Sequence, residues 1–223
     1  MLIIQSTINQ IDDKKYEISA AIKLNKTGTV FEKGTTVNVV QVILTIKEKG
    51  SGTIKEILFY VNNEVAHTLT NPNSDETSFV FEPNIVLTDS ISNTYFRVQL
   101  KDSAEVILKA NTSAVNFYYP CYYGVTAIDV IPDEAAVKAM TKLVVAKSNQ
   151  ACTFTMARQS AVFVYPASYG NLTSITDPSG FEQINGFTKH TISITGADNK
   201  AQSYNMYIGP SNTNTNFKLT FKF

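Results

Sequence analysis

Apolar and polar side chains alternate with a period of two along most of this chain, and that constrains it to a β architecture. From Tyr16 to Leu24, the residues Tyr16, Ile18, Ala20, Ile22 and Leu24 fall on one side, and Lys15, Glu17, Ser19 and Lys23 on the other. This is the pattern of a half-buried strand. Val37 to Ile46 and Ile54 to Val61 are apolar on both sides. They read as central strands, with Gly50-Ser51-Gly52 as the turn between them. Asn62-Asn63 turns the chain into Glu64–Leu69, and Asn71-Pro72-Asn73-Ser74-Asp75 is a loop by composition. Further strands are expected at Ser78–Phe81, Tyr95–Leu100, Glu105–Lys109 and Ala114–Tyr119.

Seven or eight short strands over about 100 residues, with frequent turns and no helix, are the pattern of an immunoglobulin-like β-sandwich. That domain is expected over residues 1–116. The Cys–Trp–Cys core of antibody domains is absent, and the chain has no Trp. Met1–Gln10 reads equally well as an arm reaching a neighbouring subunit or as the first edge strand.

The character changes after Tyr119, and residues 117–223 are expected to form a small α+β domain with one helix packed on a β-sheet. Pro132-Asp133-Glu134 suits a helix start, with proline at the first position and acids at the positive end of the dipole. Val137, Met140 and Val144, with Ala136 and Leu143 beside them, make an apolar stripe, and Lys142 and Lys147 lie near the other end. The spacing predicts a helix over about 132–147. The sheet beneath it is expected from Cys152–Met156, Ala161–Tyr165, Leu172–Thr176, Phe187–Ile194, Ser203–Ile208 and Phe217–Phe223. In the last of these Phe217, Leu219, Phe221 and Phe223 alternate with Lys218, Thr220 and Lys222, so the C-terminal segment is expected to be tied down in the sheet.

Composition narrows the function. Charged residues are 17% of the 223, and hydrophobic residues 43%. The charged share lies below the roughly 25% of a typical domain, so much of the polar surface is Ser, Thr and Asn, as suits an assembly protein. Net charge is zero, and the densest charged stretch, Lys47-Glu48-Lys49, nearly cancels itself. Phosphate neutralisation needs a basic stripe, so nucleic acid is not an expected partner, nor is an anionic membrane surface. No apolar run approaches the ~20 residues of a spanning helix, and the apolar start stops at Ile4, which does not match a secretory leader. Synthesis in a cytosol is expected.

Catalytic, cofactor and metal sites are not expected. His67 and His190 each read as strand residues, without the nucleophile and orienting acid a catalytic histidine needs. Ligands do not cluster as a zinc site requires. Gly50-Ser51-Gly52 lacks the spacing of a phosphate loop. Asp75, Glu76, Asp177 and Glu182 lie in polar loops with no facing carboxylate legible. Asn73–Glu76 and Asp12-Asp13 match no calcium-loop spacing. Cys121 and Cys152 fit no CxxC motif and sit among apolar residues, so buried free thiols are expected; a bridge between them would need an oxidising compartment.

One motif occurs twice. Phe117–Gly124 and Phe163–Gly170 share F-x-Y-P-x-x-Y-G, a match at five fixed positions. The plain reading is a pair of equivalent strand exits, each ended by proline and turned by glycine. The functional reading is an aromatic ledge for a partner or a carbohydrate, formed by Tyr118, Tyr122, Tyr123 and Tyr169, because tyrosine is amphipathic and enriched at interfaces.

The stretch Ala161–Leu172 (AVFVYPASYGNL) followed by Ser174–Phe181 (SITDPSGF) resembles a C-terminal module of tailed-bacteriophage virion proteins. In those proteins a similar F-x-Y-P-x-x-Y-G segment precedes the helix, as Phe117–Gly124 does here, and a strand of alternating Ser and Ile follows, like Thr191–Ile194. The resemblance covers roughly residues 115–223. It implies a tail, baseplate or fibre component, often with immunoglobulin-like domains upstream, and it assigns no role to any residue. The expected function is therefore non-enzymatic assembly in a virion, with other virion proteins and copies of itself as partners. The alternatives are a carbohydrate-binding, host-attachment module recognising a surface glycan, and a capsid decoration or head-fibre protein.

Overall fold

A computed structural model of the chain describes residues 16–50, 52–61, 63–87, 93–94, 96–103, 107–112, 114–212 and 215–223. Met1–Gln10 and Asp12-Asp13 therefore lie outside the described residues. The protein is mainly β, with several sheets and, among the described residues, one short α-helix. The first eleven strands are β1 (Glu17–Leu24), β2 (Val30–Glu32), β3 (Val37–Glu48), β4 (Ile54–Val61), β5 (Glu64–Thr70), β6 (Ser78–Phe81), β7 (Ile85–Leu87), β8 (Asn93–Thr94), β9 (Phe96–Asp102), β10 (Ile107–Asn111) and β11 (Val115–Tyr118). Then come β12 (Cys121–Ala127), helix α1 (Glu134–Lys138), β13 (Thr141–Leu143), β14 (Gln150–Met156), β15 (Gln159–Pro166), β16 (Ser174–Thr176), β17 (Thr188–Thr195), β18 (Ala201–Asn212) and β19 (Thr215–Lys222). No helix among the described residues is long and apolar enough to cross a membrane.

The chain divides into two compact units. Unit 1 is Met1–Thr29 with Thr36–Asn116, and unit 2 is Val30–Thr35 with Phe117–Phe223.

Unit 1 contains two four-stranded antiparallel sheets. In one, β3 is central, between β1 and the pair β6 and β7; in the other the order is β10-β9-β4-β5. The two strands that read as apolar on both sides, β3 and β4, are thus both central. Within β3 the fully buried residues are Val37, Val39, Val42, Leu44 and Ile46. The alternation slips by one residue between Val39 and Val42, opposite the register shift at Lys23/Leu24. A bulge of this kind bends the strand and increases its local twist. The two sheets meet through Phe81 of β6, whose ring lies 5.6 Å from Phe59 of β4 and stacks at 4.7 Å on His67 of β5.

Unit 2 is built on a five-stranded antiparallel sheet, β13-β12-β15-β18-β17, and a three-stranded one, β14-β19-β16. The central strand β15 is buried almost from end to end because both of its faces are covered. Ala161, Phe163 and Tyr165 point into a core shared with Cys121, Cys152, Phe154, Leu219 and Phe221. Val162 and Val164 point into a second core with Tyr122, Val137, Ile194, Tyr204 and Met206. The phenylalanine alternation of β19 places Leu219 and Phe221 in the first core, and β19 is the middle strand of its sheet.

The helix expected over 132–147 is shorter. Asp133 caps it, accepting the Ala136 N–H at 2.8 Å, and it ends after Lys138. Residues Thr141–Leu143 then form β13 against Cys121–Tyr123. The apolar stripe is not one face: Val137 and Met140 join the second core, whereas Leu143 packs on the first. The exposed edge of β12 takes a β-rich segment that helix periodicity alone would have kept helical. Lys142 pairs with Glu32 at 2.7 Å instead of serving a helix terminus.

Val30–Thr35 is the part of unit 2 farthest from the rest in sequence. Its Lys33 N–H donates to Tyr118 O at 3.0 Å, Phe31 lies 5.9 Å from Phe117, and the Lys33 ammonium sits 4.9 Å from the centre of the Tyr119 ring.

Candidate functional site

The two F-x-Y-P-x-x-Y-G segments adopt different structures. In the first, Pro120 leads directly into β12, and Tyr123 and Gly124 are strand residues paired with Phe163 and Val162. In the second, β15 ends at Pro166, Ala167–Tyr169 forms a 3-10 turn, and Gly170 adopts φ +84° and ψ −160°. The expectation of two equivalent strand exits is therefore corrected. The Tyr–Pro–Gly vocabulary fits either a turn or a strand entry, and pairing with β15 selects the second for Phe117–Gly124.

The tyrosines are positioned by these strands. Tyr122 is 4% exposed and lies in the second core, 6.2 Å from the Tyr204 ring. Burial, with Glu32, Cys121 and Glu134 nearby, pushes its hydroxyl up to about 12. Tyr122 is thus a core residue and not part of an exposed ledge. Tyr123 is half-buried, with its ring edge-on to Phe154 at 5.7 Å. Tyr169 is half-buried against Phe223, and its hydroxyl donates to Val145 O at 2.9 Å. Burial pushes the Tyr169 hydroxyl up to about 12, with Cys121 and Tyr118 adding to the effect. Tyr118 is half-buried at the end of β11. The motif's other tyrosines brace the fold. Tyr165 donates to Gly170 O at 3.0 Å, Asn205 Nδ2 donates to the same carbonyl, and Tyr119 donates to Asp198 Oδ2 at 2.7 Å.

The exposed apolar surface of unit 2 lies elsewhere. Ile128, Val130 and Ile131 are 47%, 48% and 58% exposed, on the loop between β12 and α1. The left-handed backbone of Asp129 (φ 61°) turns this loop, and the Thr126 hydroxyl donates to Val130 O at 3.2 Å. These residues wall a cleft of about 380 Å³ whose other side carries Ser160, Thr188, His190, Pro210 and Ser211. Sequence reading assigned no role to Val125–Ile131. The signal was the Ile-Asp-Val-Ile-Pro order, with an Asx residue at the turn.

Ser160, His190 and Asp129 share this cleft, and no hydrogen bond joins any two of them. His67 is engaged by its stack on Phe81. Among the described residues no three His, Cys, Asp or Glu side chains come together to hold a metal ion. Cys121 and Cys152 are buried free thiols in the same core, each pushed up to about 12 chiefly by burial.

The polar side chains of these loops organise turns. Asn73 Oδ1 accepts the Asp75 N–H and Ser74 Oγ accepts the Ile54 N–H. Asp177 Oδ1 accepts the N–H groups of Ser179 and Phe181 at 2.9 and 3.0 Å. Glu182 accepts from the Ser174 hydroxyl and from the N–H groups of Ile175, Gln183 and Ile184, which holds its carboxyl at about 2.

No protein family matches the sequence, and no curated protein matches it.

Proposed function

We propose that this chain is a non-enzymatic structural component of a tailed-phage virion, belonging to its tail, baseplate or fibre, that works through contacts between protein subunits. The observation that carries this reading is the apolar loop Ile128–Ile131, presented to solvent at the wall of a cleft. Contiguous exposed apolar side chains mark surfaces that other proteins cover. The resemblance of residues 115–223 to a virion module points the same way. We read unit 1 as an immunoglobulin-like sandwich; its two four-stranded antiparallel sheets, joined through Phe59, His67 and Phe81, support that reading.

A carbohydrate-binding, host-attachment role is the second reading. It is favoured by the polar groups of the 380 Å³ cleft, Asp129, Ser160, Thr188, His190 and Ser211. The test is mass spectrometry of density-gradient-purified particles from host cells carrying the gene, with a glycan array probed by the purified chain. Co-purification with particles at a fixed ratio to the capsid protein supports the virion reading. Absence from particles overturns it, and glycan binding that Thr188 and His190 substitutions abolish moves the cleft to the second reading.

A further inference from the structure

The outer face of the β10-β9-β4-β5 sheet gathers hydrogen-bond donors with no acid among them. Val98 and Leu100 of β9 are fully buried, so Arg97 and Gln99 face outward by strand alternation. The register sets Asn111 of β10 opposite Arg97, and Lys109 opposite Gln99. Directly opposed side chains lie about 5 Å apart at Cβ and diagonal ones about 7–8 Å, so these four side chains share one patch. Lys109 and Asn111 are exposed, and Arg97 and Gln99 are half-buried.

Tyr60 of β4 braces the patch from the side. The Arg97 guanidinium lies over the Tyr60 ring at 4.2 Å, and its Nε is buried without a hydrogen-bond partner. Its two terminal nitrogens are what it has left to offer. The Tyr60 hydroxyl donates to Gln99 Oε1 at 3.5 Å, which occupies the Gln99 carbonyl and leaves its NH2 group as a donor. Lys101, further along the same face, stands opposite Glu56, so those charges offset each other. Among the described residues no acid pairs with Arg97 or Lys109. The patch therefore keeps both positive charges uncompensated, although the chain as a whole has a net charge of zero.

We propose that Arg97, Gln99, Lys109 and Asn111 form a carboxylate-binding site, whose ligand is an aspartate or glutamate side chain on the surface of another virion subunit. Charge and shape select the carboxylate. A guanidinium presents a planar fork that engages both carboxylate oxygens, and the neighbouring amides and ammonium add donors. Contact with Tyr60 holds the fork in place before a partner arrives, which lowers the ordering cost of binding. The flanks of the patch select a protein as the bearer of that carboxylate. Val65, opposite Tyr60, and Ile107, on the Lys109 side of β10, are 52% and 51% exposed. A polysaccharide chain would leave both in water, whereas a protein surface covers them. Arg and Tyr are also the residue types that anchor protein interfaces. The inference rests on the assembly reading and names one surface that assembly uses and the chemistry of its partner.

The test is calorimetric titration of the full chain with poly-L-glutamate and with polygalacturonate, which carries its carboxylates on a sugar backbone, at low ionic strength where screening is weak. Wild type is compared with Arg97→Gln, Arg97→Lys, Lys109→Gln and, as a control on β19, Lys218→Gln. Unchanged circular dichroism and thermal midpoints establish that each variant is folded, and Lys109 is exposed, so its variant tests the site independently of Arg97. The wild type is expected to bind poly-glutamate more tightly than polygalacturonate. Arg97→Gln and Lys109→Gln are each expected to raise the poly-glutamate dissociation constant roughly ten-fold, the effect of losing one charge-assisted hydrogen bond. Arg97→Lys keeps the charge but loses the fork, and is expected to raise it roughly three-fold. Lys218→Gln is expected to leave it unchanged. A wild type that binds neither polymer overturns the inference, as does binding that Lys218→Gln weakens as much as Lys109→Gln. Tighter binding of polygalacturonate overturns the protein partner. Any of these failures, with the protein found in purified particles, leaves the assembly reading standing; absence from particles removes that reading independently.

Discussion

Gly34 packs so tightly against Asp198 that a β-carbon built on it would lie 2.2 Å from the Asp198 nitrogen and 2.4 Å from the Ala197 carbonyl carbon. Both are backbone atoms, and Gly34 itself has φ +93°. No side chain can rotate away to make room. Asp198 is fixed in turn by the Tyr119 hydroxyl, whose hydrogen bond helps hold its carboxyl below the usual range even though desolvation pushes the other way.

Gly34→Ala is therefore expected to detach Val30–Thr35 from unit 2. The strain of a left-handed non-glycine residue alone costs about 1–3 kcal/mol, and the backbone clash adds to it, for a total of about 3 kcal/mol or more. Urea unfolding followed by circular dichroism measures this. A loss under about 1 kcal/mol would show that the 197–198 turn moves aside freely.

The two motif glycines should fail by different routes. Gly170 has open space around it, but its φ of +84° is costly for any other residue, so Gly170→Ala is expected to lose about 1–3 kcal/mol with no rescue by neighbours. Gly124 has ordinary backbone, but a β-carbon there would lie 2.7 Å from Met140 Cγ. Gly124→Ala is expected to cost about 1–3 kcal/mol as overpacking, and Met140→Ala in the same chain should remove most of that penalty. A double-mutant cycle at each site decides it: coupling of Met140 to Gly124 but not to Gly170 is the expected result.

These glycines also show what the sequence could and could not reveal. The F-x-Y-P-x-x-Y-G repeat was legible, as were most strands of unit 2, because Phe217, Leu219 and Phe221 must share one side of a strand. The fate of each copy was not, since Pro120 and Pro166 are followed by equally plausible turns and only pairing of Tyr123 with Phe163 separates them. The helix failed for a similar reason. Val137, Met140 and Val144 have helical spacing, but the vacant edge of β12 exerts a non-local demand that spacing cannot report. Tyr122 was misplaced because tyrosine serves cores and surfaces alike, and residue type does not say which side of β12 faces Val137. Phe181 was visible in the sequence only as the residue after a Pro-Ser-Gly turn, and its exposure follows from how Asp177 and Glu182 brace that turn.

Cys121 and Cys152 should be chemically silent in the folded chain. With both thiols pushed up to about 12, first by burial and for Cys121 also by its neighbour Cys152, the thiolate fraction near pH 8 is roughly one in ten thousand. Ellman's reagent is expected to release no colour from the native protein on the timescale of minutes, and two equivalents per chain in denaturant. Fast native reaction would mean that this core opens readily; no release in denaturant would mean that the two are bridged.

Glu182 gives the chain an acid-sensitive turn. Hydrogen bonds from Ser174, Ile175, Ile184 and Gln183 lower its carboxyl from the ordinary 4.5 to about 2 in the folded state. A depressed folded value means that the charged form stabilises the fold, and that this contribution is complete above the unfolded value and disappears as pH falls through the folded one. The contribution is thus present at neutral pH and lost between about 4.5 and about 2. Glu182→Gln keeps one acceptor oxygen but removes the charge, so its thermal midpoint is expected to fall below wild type at neutral pH, with the gap closing as the acid limb is reached. Thermal unfolding of both proteins across that range is the measurement. A gap that stays constant down to about pH 2 would assign the effect to lost hydrogen-bond geometry instead of charge, and the Asp177–Phe181 turn would then owe its rigidity to Asp177 alone.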